Sequence, residues 1–327
     1  MELIIGTHSF LLQATIDKNL NLSTIVPIKS YKHHYGICPL SNTDYSFIAM
    51  TRENNCFEFY KKNSISEKIN HQGYELVSII KPTGNFSDIH QIVCQDNGIY
   101  IANTGYNSIC FISNQGKRIE YFIDHKKTDV NHINSIFTLS NKRALILLHN
   151  KGESNSKVVL IQRKKDKIIP LHSCFIWDKK CHNIYLNNKY LVYNSSVSGE
   201  LVIVDLMTQK IIKRIDFSGH TKGLSVTEKY FVIGVSEHAK GKKRFYSKGN
   251  LAIIDRNTLN VVRILDINTD NLPQAVGNIN EVRCLSEKDY SLGYLKPLLF
   301  DFKSLKLADV NIFDKLLLMF KSFKMIS

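Results

Sequence analysis

The sequence predicts an all-β fold built from repeated four-stranded units, and three observations lead to this prediction. A short motif, in which a histidine or once a glutamate is followed four positions later by an apolar residue, recurs six times. Short apolar or alternating runs follow each copy, separated by turn residues and with hardly any helical period. An aspartate turn also recurs late in the chain. Repetition at all three levels indicates one structural unit that is used several times.

The copies of the histidine motif are 38 to 61 residues apart, as expected when each unit carries loops of different length. In chain order they are His33 with Ile37, His90 with Cys94, His132 with Ile136, His182 with Leu186, His220 with Leu224, and Glu281 with Leu285. Six similar positions in the repeat predict six equivalent positions in the fold.

The strands predicted within each unit follow one order. The clearest unit reads HNIYLN, KYLVYN, GELVIVD and KIIKRID, and the next reads LSVT, YFVIGV, NLAIID and VVRILDI. A last unit is predicted from EVRCLS, YSLGYL, PLLFDF and LKLADV. Residues 2–28 differ, because they give only three strands that match the second, third and fourth of a unit.

Aspartate turns support the register of these units. The turn pairs are Asp205 with Thr208, Asp255 with Thr258, and Asp301 with Ser304. An Asp side chain accepts hydrogen bonds from backbone N–H groups two residues on, and Thr or Ser supports the same turn. The pattern therefore predicts tight hairpins between the third and fourth strands of successive units.

Four-stranded units of this length with Asp and Gly turns are typical of β-propellers. The sequence resembles propeller proteins over essentially its whole length, and in style it is most similar to the NHL, YVTN and streptogramin-lyase groups. It also fits an uncharacterised bacterial family. The resemblance implies the fold, but it rests on the repeat pattern and transfers no catalytic residue to this chain.

The number of units follows from ring closure, which removes exposed sheet edges. The first strand missing from the N-terminal unit is expected from the segment after Val310, which predicts a propeller of seven four-stranded blades in a single domain, residues 1–311. Six blades are the alternative, if the N-terminal strands extend the last blade. Residues 312–327 are predicted to be the ring-closing strand or a short basic amphipathic helix that contacts a membrane surface.

Composition limits the classes of partner. The 43 Lys and Arg against 29 Asp and Glu give a net charge of +14, which favours an anionic small molecule or glycan, although solubility alone is an alternative explanation. Nucleic acid is disfavoured, because no known nucleic-acid-binding motif is present.

No apolar run reaches 18 residues and no signal peptide is evident, and the seven cysteines form no CxxC pair. We therefore expect a cytoplasmic protein with reduced thiols, and the oligomeric state stays open.

The motif residues are expected to lie around the mouth of the central channel, because the first strand of each propeller blade lines that channel. Imidazole and carboxylate groups are ligands for zinc, manganese, iron, nickel or copper, so the sequence predicts one divalent transition metal bound by three or four of them. The candidate ligands are His33, His90, His132, His182, His220 and Glu281. The alternative is that the histidines only cap loops through hydrogen bonds to the backbone.

Other residues expected at this mouth come from loops and from positions close to the motif. The loops between second and third strands contribute Arg52, Tyr106 and His149, and the long insertion at residues 236–250 is rich in Lys and Arg. The candidate substrate-binding residues are Lys222, Arg283, Lys240, Lys242, Lys243, Arg244 and Arg52. The candidate acid and base residues are His90, His220 and Tyr106.

Two functions are consistent with these residues. The first is a metal-dependent lyase or hydrolase that acts on an anionic or polyhydroxylated substrate at the channel mouth. The second is a binding or scaffold propeller without turnover, whose basic face contacts an acidic protein, a glycan or a nucleic acid. No GxSxG, P-loop, GxGxxG or HExxH motif is present, so the common hydrolase, kinase and dinucleotide-binding signatures support neither.

Overall fold

The computed structural model describes residues 1–40, 46–63, 73–82, 84–95, 98–123, 128–140, 142–187, 189–270 and 272–293. These residues form six four-stranded antiparallel sheets. The strands are β1 (Glu2–Thr7), β2 (Phe10–Ile16), β3 (Leu22–Ser30), β4 (His34–Pro39), β5 (Phe47–Thr51), β6 (Cys56–Lys62), β7 (Tyr74–Ile80), β8 (Ile89–Gln95), β9 (Gly98–Asn103), β10 (Ser108–Ser113), β11 (Arg118–Phe122), β12 (Ile133–Leu139), β13 (Arg143–Leu148), β14 (Lys157–Arg163), β15 (Ile168–Phe175), β16 (Cys181–Leu186), β17 (Tyr190–Ser195), β18 (Glu200–Asp205), β19 (Lys210–Asp216), β20 (His220–Val226), β21 (Tyr230–Ser236), β22 (Gly249–Asp255), β23 (Val261–Asp266) and β24 (Ile279–Cys284). Three short 3₁₀ helices span Thr104–Tyr106, Asn150–Gly152 and Gly241–Phe245.

The six sheets are the blades of a β-propeller. Blades 1 to 5 are β4–β7, β8–β11, β12–β15, β16–β19 and β20–β23, and blade 6 combines β24 with β1, β2 and β3. The innermost strands contact one another in a closed ring, in the order β4, β8, β12, β16, β20 and β24. The predicted all-β propeller is therefore confirmed.

The prediction of seven blades is wrong, because the ring contains six. The strand that completes the N-terminal blade is β24 rather than a strand after Val310, and it pairs with β1 in a register that places Leu3 opposite Cys284 and Ile5 opposite Val282. These four side chains are almost completely buried, so the pairing buries apolar surface as well as the exposed edge of β1. The sequence pattern alone predicts Ile279–Cys284 as the first strand of a further blade. Residues 312–327 lie outside the described residues.

Burial decreases from the axis of the ring outward, as the strand patterns require. The innermost and second strands are almost continuously buried because both of their faces pack against neighbouring blades. The outermost strands β7 and β23 are largely exposed, although they carry Val and Ile. The polar groups that line the channel therefore lie among rigidly packed strands.

The predicted aspartate turns form at the ends of β18 and β22. Asp205 Oδ1 accepts hydrogen bonds from the backbone N–H groups of Met207 and Thr208 at 2.9 and 2.8 Å. Asp255 makes the same pair of bonds with Asn257 and Thr258. The third predicted turn, at Asp301, lies outside the described residues.

Every innermost strand contains one β-bulge, and this is the structural repeat of the channel. The register of pairing shifts between Tyr35 and Ile37, Ile89 and Ile92, Ile133 and Ser135, His182 and Ile184, Lys222 and Leu224, and Ile279 and Glu281. A bulge adds one unpaired residue and re-aims the neighbouring side chains. Residues on the two sides of a bulge therefore face different parts of the channel.

Residues after β24 close one end of the channel. The Asp289 carboxylate accepts hydrogen bonds from the Ser225 hydroxyl at 2.7 Å and from the Cys284 backbone N–H at 3.0 Å. The backbone of Thr138, in blade 3, donates a hydrogen bond to the Leu292 carbonyl at 3.0 Å. This segment therefore crosses between the innermost strands of three blades, and the opposite end of the channel is the mouth.

All seven cysteines are free, as predicted, and Cys38, Cys110, Cys181 and Cys284 are buried. Among the residues that the structure describes, none belongs to a helix with the length and apolar character needed to span a membrane.

Candidate functional site

The mouth of the channel contains a cavity of about 710 Å³. Its wall combines histidines from several blades with Lys and Arg side chains and a single carboxylate. The lining histidines are His90, His132, His149, His182, His220 and His238, and the lining cations are Arg52, Lys180, Lys222, Lys240, Lys243 and Arg244. Tyr35 and Asp88 also face this space.

Local backbone geometry turns these side chains toward the cavity. Asp88, His132 and Lys180 adopt left-handed backbone conformations, with φ between 50° and 53°, just before or at the start of an innermost strand. Such angles are uncommon for residues other than glycine, and here they form the sharp turn from the rim into the channel. The last paired residue before a bulge faces the cavity in three strands, as Tyr35, His182 and Lys222. His90 lies within the bulge of its own strand.

The imidazole rings contact one another in an arc around the mouth. Ring centroids are 4.7 Å apart between His90 and His132, 4.8 Å between His132 and His149, and 5.1 Å between His149 and His182. The arc continues through His220 and His238 at longer separations. The histidines predicted from separate repeats are thus brought together in one site.

On the other side of the mouth, the insertion at residues 236–250 completes the rim. Phe245 stacks on His33 with ring centroids 4.6 Å apart, and His8 packs edge-on against His33 at 4.0 Å. The Ser9 hydroxyl donates a hydrogen bond to the Phe245 carbonyl at 2.8 Å, and the Asn278 backbone N–H donates one to the Arg244 carbonyl. The basic insertion is therefore fixed to blade 6.

Hydrogen bonds assign tautomers to three of the rings. His90 Nδ1 donates to the Asp88 carbonyl at 2.9 Å, and His132 Nδ1 donates to the Asp129 carboxylate at 3.0 Å, so Nε2 of each ring carries a lone pair. His182 differs, because its Nδ1 accepts a hydrogen bond from the Asn134 amide at 3.1 Å and its Nε2 therefore carries the proton.

Burial lowers the pKa of five histidines at the mouth and keeps these five neutral at ordinary pH. Desolvation, together with repulsion from neighbouring imidazoles and Lys222, lowers the pKa of His8 and His149 to about 2 and that of His220 to about 3. The same causes place the pKa of His90 and His182 well below its ordinary value. The wall of the cavity therefore offers uncharged imidazoles at His90, His149, His182 and His220 beside its Lys and Arg side chains.

Few of the lining cations have an acidic partner. Arg52 pairs with Asp88, with its Nε 2.7 Å from the Asp88 Oδ1. The remaining five lining cations form no ion pair with any described residue. Burial and the nearby Arg244 lower the pKa of Lys222 to about 7. The cavity is thus strongly electropositive.

The metal prediction receives incomplete support from the geometry. His90 and His132 have the tautomer of typical ligands, with the second ring nitrogen bonded to an oxygen. Across the described part of the chain, however, no group of three or more His, Cys, Asp or Glu side chains is placed to hold a metal ion.

The six motif positions are not equivalent in the fold. Their distance along the chain from the unpaired bulge residue differs. This distance is three residues for His33 and His220, two residues for His132 and one residue for His182. Glu281 lies after the bulge of its strand and faces the channel interior rather than the mouth. The equivalence predicted from sequence spacing is therefore wrong. Four of the five histidines line the cavity, and His33 instead packs against Phe245 and His8 beside it.

Arg283 also lies inside the channel rather than at the mouth, where the sequence analysis expected it. Its side chain is 0% exposed and its Nη2 is 2.9 Å from the Glu281 Oε2. It also donates hydrogen bonds to the Ile37 carbonyl at 3.1 Å and the Ser291 hydroxyl at 3.0 Å. The pair is too far inside the channel to contact a molecule held at the rim.

The other predicted site residues divide into two groups. Lys222, Lys240, Lys243, Arg244 and Arg52 all line the cavity, as expected. Lys242 is exposed on the insertion and Tyr106 lies in the Thr104–Tyr106 turn, and neither is part of the cavity wall.

Sequence reasoning missed Asp88, Lys180, His238 and His8. The sequence does contain a signal for part of the cavity wall. Three side chains that face the channel are each followed directly by Gly or Asn, and they are Tyr35, His182 and Lys222. These following residues adopt positive φ angles of 52°, 46° and 78°, as an unpaired bulge residue requires.

Comparison with solved structures agrees with the propeller fold. One chain of a nidogen/laminin complex superposes with a TM-score of 0.60 at 8% identity, covering 86% of this chain and 97% of that chain. A protein of unknown function from Bacteroides caccae gives 0.59 at 12% identity, covering 88% and 99%, and a hypothetical selenium-binding protein from Sulfolobus tokodaii gives 0.57 at 11%, covering 90% and 96%. At these identities the likeness establishes the fold alone.

The sequence matches no curated protein. Residues 7–286, from the end of β1 to just beyond the closing strand β24, match one family. The chain therefore belongs to the family described as "Domain of unknown function (DUF4915)".

Proposed function

We propose that the cavity at the channel mouth binds a small anionic molecule. The observation that carries this proposal is the charge of the wall, in which six cations face one carboxylate that already pairs with Arg52. Cations that lack acidic partners in a recessed, low-dielectric space attract anions strongly, because the surrounding walls weaken solvent screening.

The shape of the site favours a small molecule over a macromolecular partner. A volume of about 710 Å³ falls within the range of roughly 300–1,000 Å³ that is typical of small-molecule sites. The neutral imidazoles can donate or accept hydrogen bonds, which suits an anion that also carries hydroxyl or carbonyl groups. A scaffold that contacts an acidic protein or glycan would use the flat rim instead, and its binding would not depend on the cavity wall.

Binding of simple anions tests the proposal. We expect inorganic phosphate and citrate, but not glucose, to release or absorb heat on titration and to raise the unfolding temperature. Arg244→Met should weaken anion binding by roughly tenfold or more, because a hydrogen bond to a charged group contributes about 1.5–3 kcal/mol. Lys210→Met removes the same charge from the exposed strand β19 and should leave affinity unchanged. Equal affinities for wild type and Arg244→Met would contradict the proposal.

A divalent transition metal is a second candidate ligand, favoured by the His90 and His132 pair. When bound, such a metal would polarise a carbonyl or a water molecule for lyase or hydrolase chemistry. His90 and His132 would hold it through Nε2, with their Nδ1 atoms kept in place by the Asp88 carbonyl and the Asp129 carboxylate. Because the described residues do not bring a third ligand to this pair, we assign no catalytic step to the metal.

Elemental analysis of protein purified without a histidine tag tests the metal. We expect about one zinc, manganese, iron, nickel or copper ion per chain, and a loss of most of it in His90→Ala and His132→Ala without unfolding. His172→Ala, on the outer strand β15, is the matched control and should keep the metal. Full metal content in the first two variants would exclude these histidines as ligands.

A further inference from the structure

The side chain of Lys222 is placed unlike any other cation of the cavity. It lies on β20, directly before the bulge residue Gly223, and only 9% of it is exposed. The bulge is held from blade 4, because the Gly223 N–H donates to the Asn183 side-chain oxygen at 2.8 Å and the Asn194 amide donates to the Gly223 carbonyl at 3.1 Å. The backbone that carries the lysine is therefore fixed.

The Lys222 ammonium lies near the axis of the channel. Starting from blade 5, it reaches a point 4.9 Å from the centre of the Tyr35 ring in blade 1. Its charge also lowers the pKa of a histidine from each of the six blades: His8, His33, His90, His149, His182 and His220. Only a group close to the axis can affect all six blades.

This ammonium has no partner among the residues that the structure describes. It makes no hydrogen bond and no ion pair with them, and it faces the Tyr35 ring. The charged groups that influence it are Arg244 on the insertion, Arg52 and Asp88 on the rim, and Glu281 in the channel. A buried amine that faces a cavity and lacks a partner is available to react with a molecule bound there.

The environment also favours the reactive form of the amine. Burial and the nearby Arg244 lower the pKa of Lys222, despite the opposing carboxylates of Asp88 and Glu281. A lysine next to other cations in a desolvated site is a known form of activated nucleophile. Lysine is suited to this role because its pKa shifts readily on burial.

We propose that Lys222 forms a Schiff base with a 2-oxo acid bound in the cavity. The proposal rests on the anion-binding function above. The carboxylate of such a molecule suits the guanidinium groups of Arg52 and Arg244, which fork onto carboxylates, and its neighbouring carbonyl carbon then faces the amine.

The chemistry balances without an oxidant or reductant. The Nζ lone pair attacks the carbonyl carbon, the C=O π electrons move to oxygen, and a proton shifts from nitrogen to give a neutral carbinolamine. Loss of the hydroxyl with one proton releases a molecule of water and leaves a C=N bond between lysine and substrate. The neutral imidazoles of the wall can carry these protons, because each has a ring nitrogen that can accept or donate one.

Reductive trapping tests this step. The full-length protein is incubated at pH 7 with sodium pyruvate or glyoxylate and sodium cyanoborohydride, which reduces an imine to a stable secondary amine. We expect one adduct per chain by intact mass, located at Lys222 by peptide mapping and formed roughly a hundredfold faster there than at any other lysine, because ordinary lysines are almost fully protonated at this pH. Lys222→Met and Lys222→Arg should lose the adduct, and Lys210→Met, a change on the exposed strand β19 outside the cavity, should keep it.

The outcomes separate the two proposals. If pyruvate binds by calorimetry but no adduct forms at Lys222, the Schiff base is wrong and the anion site stands. If pyruvate, glyoxylate and phosphate all fail to bind, the anion site is wrong as well. Adducts spread evenly over Lys222, Lys240 and Lys243 would also overturn the proposal. Because peptide mapping locates the adduct in wild-type protein, the test holds even if a Lys222 variant does not fold.

Discussion

Each end of the central channel buries a cation, Arg283 at the closed end and Lys222 at the mouth, but only Arg283 has a carboxylate partner among the described residues. At the closed end, Arg283 lies against Glu281 and donates to a backbone carbonyl and a serine hydroxyl, and Asp289 accepts hydrogen bonds from two strands. At the mouth, Lys222 has no partner among the described residues, and His33 Nε2 and His149 Nδ1 are buried without a hydrogen bond. Since leaving such groups unpaired costs free energy, the mouth is the end at which we propose that a ligand supplies the missing partners.

The largest effect that separates the two ends should come from acid. The folded-state pKa values of His8, His149 and His220 lie near 2 to 3, below the unfolded value of about 6.5. The stability they contribute is therefore fully present above pH 6.5 and is lost as pH falls toward those values. We expect the free energy of unfolding to drop by several kcal/mol between pH 7 and pH 5, at about 1–2 kcal/mol for each such histidine.

Urea denaturation at a series of pH values measures this effect. The double variant His8→Asn with His149→Asn should flatten the acid limb, because two of the groups that must be buried uncharged are gone. An acid limb of the same slope in the double variant would place the pH sensitivity elsewhere in the molecule.

The next largest effect should come from breaking the pair at the closed end. Arg283→Met leaves the Glu281 carboxylate, 2% exposed, without its cation and should reduce the free energy of unfolding by about 3–5 kcal/mol. Arg244→Met at the mouth removes the same charge and should change stability by about 0.5 kcal/mol or less, because no acidic partner is left behind. Chemical denaturation at pH 8 compares the two variants directly.

A second change tests the reason for that loss. Glu281→Leu combined with Arg283→Met should restore much of the stability, because no buried charge is then left unpaired. Arg283→Met alone should also lose less free energy of unfolding at pH 5 than at pH 8, because protonation removes the unpaired charge on Glu281. Equal destabilisation by Arg283→Met and Arg244→Met would contradict the contrast between the two ends.

An effect of the opposite sign should be a gain in stability from Lys222→Met. The folded-state pKa of Lys222, about 7, lies below its unfolded value of about 10.5, so its contribution to stability is full above pH 10.5 and is lost as pH falls toward 7. We therefore expect the variant to exceed wild type by up to about 4 kcal/mol at pH 6.5 and by about 1 kcal/mol at pH 9.5. Thermal unfolding in chloride buffer, without multivalent anions, measures the difference. A variant less stable than wild type at pH 6.5 would mean that the ammonium has a stabilising partner.

The sequence predicted the fold class because the signals for it are local. The turns at Asp205 and Asp255 and the four short strands of each unit depend only on neighbouring residues, and both are present in the structure. The blade count depends on a long-range choice. The strand Ile279–Cys284 has the same apolar pattern whether it begins a new blade or completes the one formed by residues 2–30, and only its pairing with β1 decides between them.

The site was predictable in part for a similar reason. The spacing from each histidine to the next apolar residue identified histidines that reach the mouth, such as His90 and His182. This spacing does not show where the strand contains an unpaired bulge residue, and the bulge decides which way the following side chains face. Glu281 and Arg283 were misplaced because they follow the bulge of their strand. The contact between His8 and His33 results from packing between blades 6 and 1. A local sequence pattern therefore does not predict it.

The closure of the ring by β24 has a consequence for how the protein is made. The strand β1 emerges from the ribosome about 270 residues before its inner partner. At a synthesis rate of roughly 5–20 residues per second, this edge waits on the order of 15–50 seconds with its backbone groups unpaired. Leu3, Ile4 and Ile5 are exposed during that interval, so the nascent chain presents an apolar strand edge of the kind that chaperones bind and that aggregation exploits. The last blade to form is thus the first one to be synthesised.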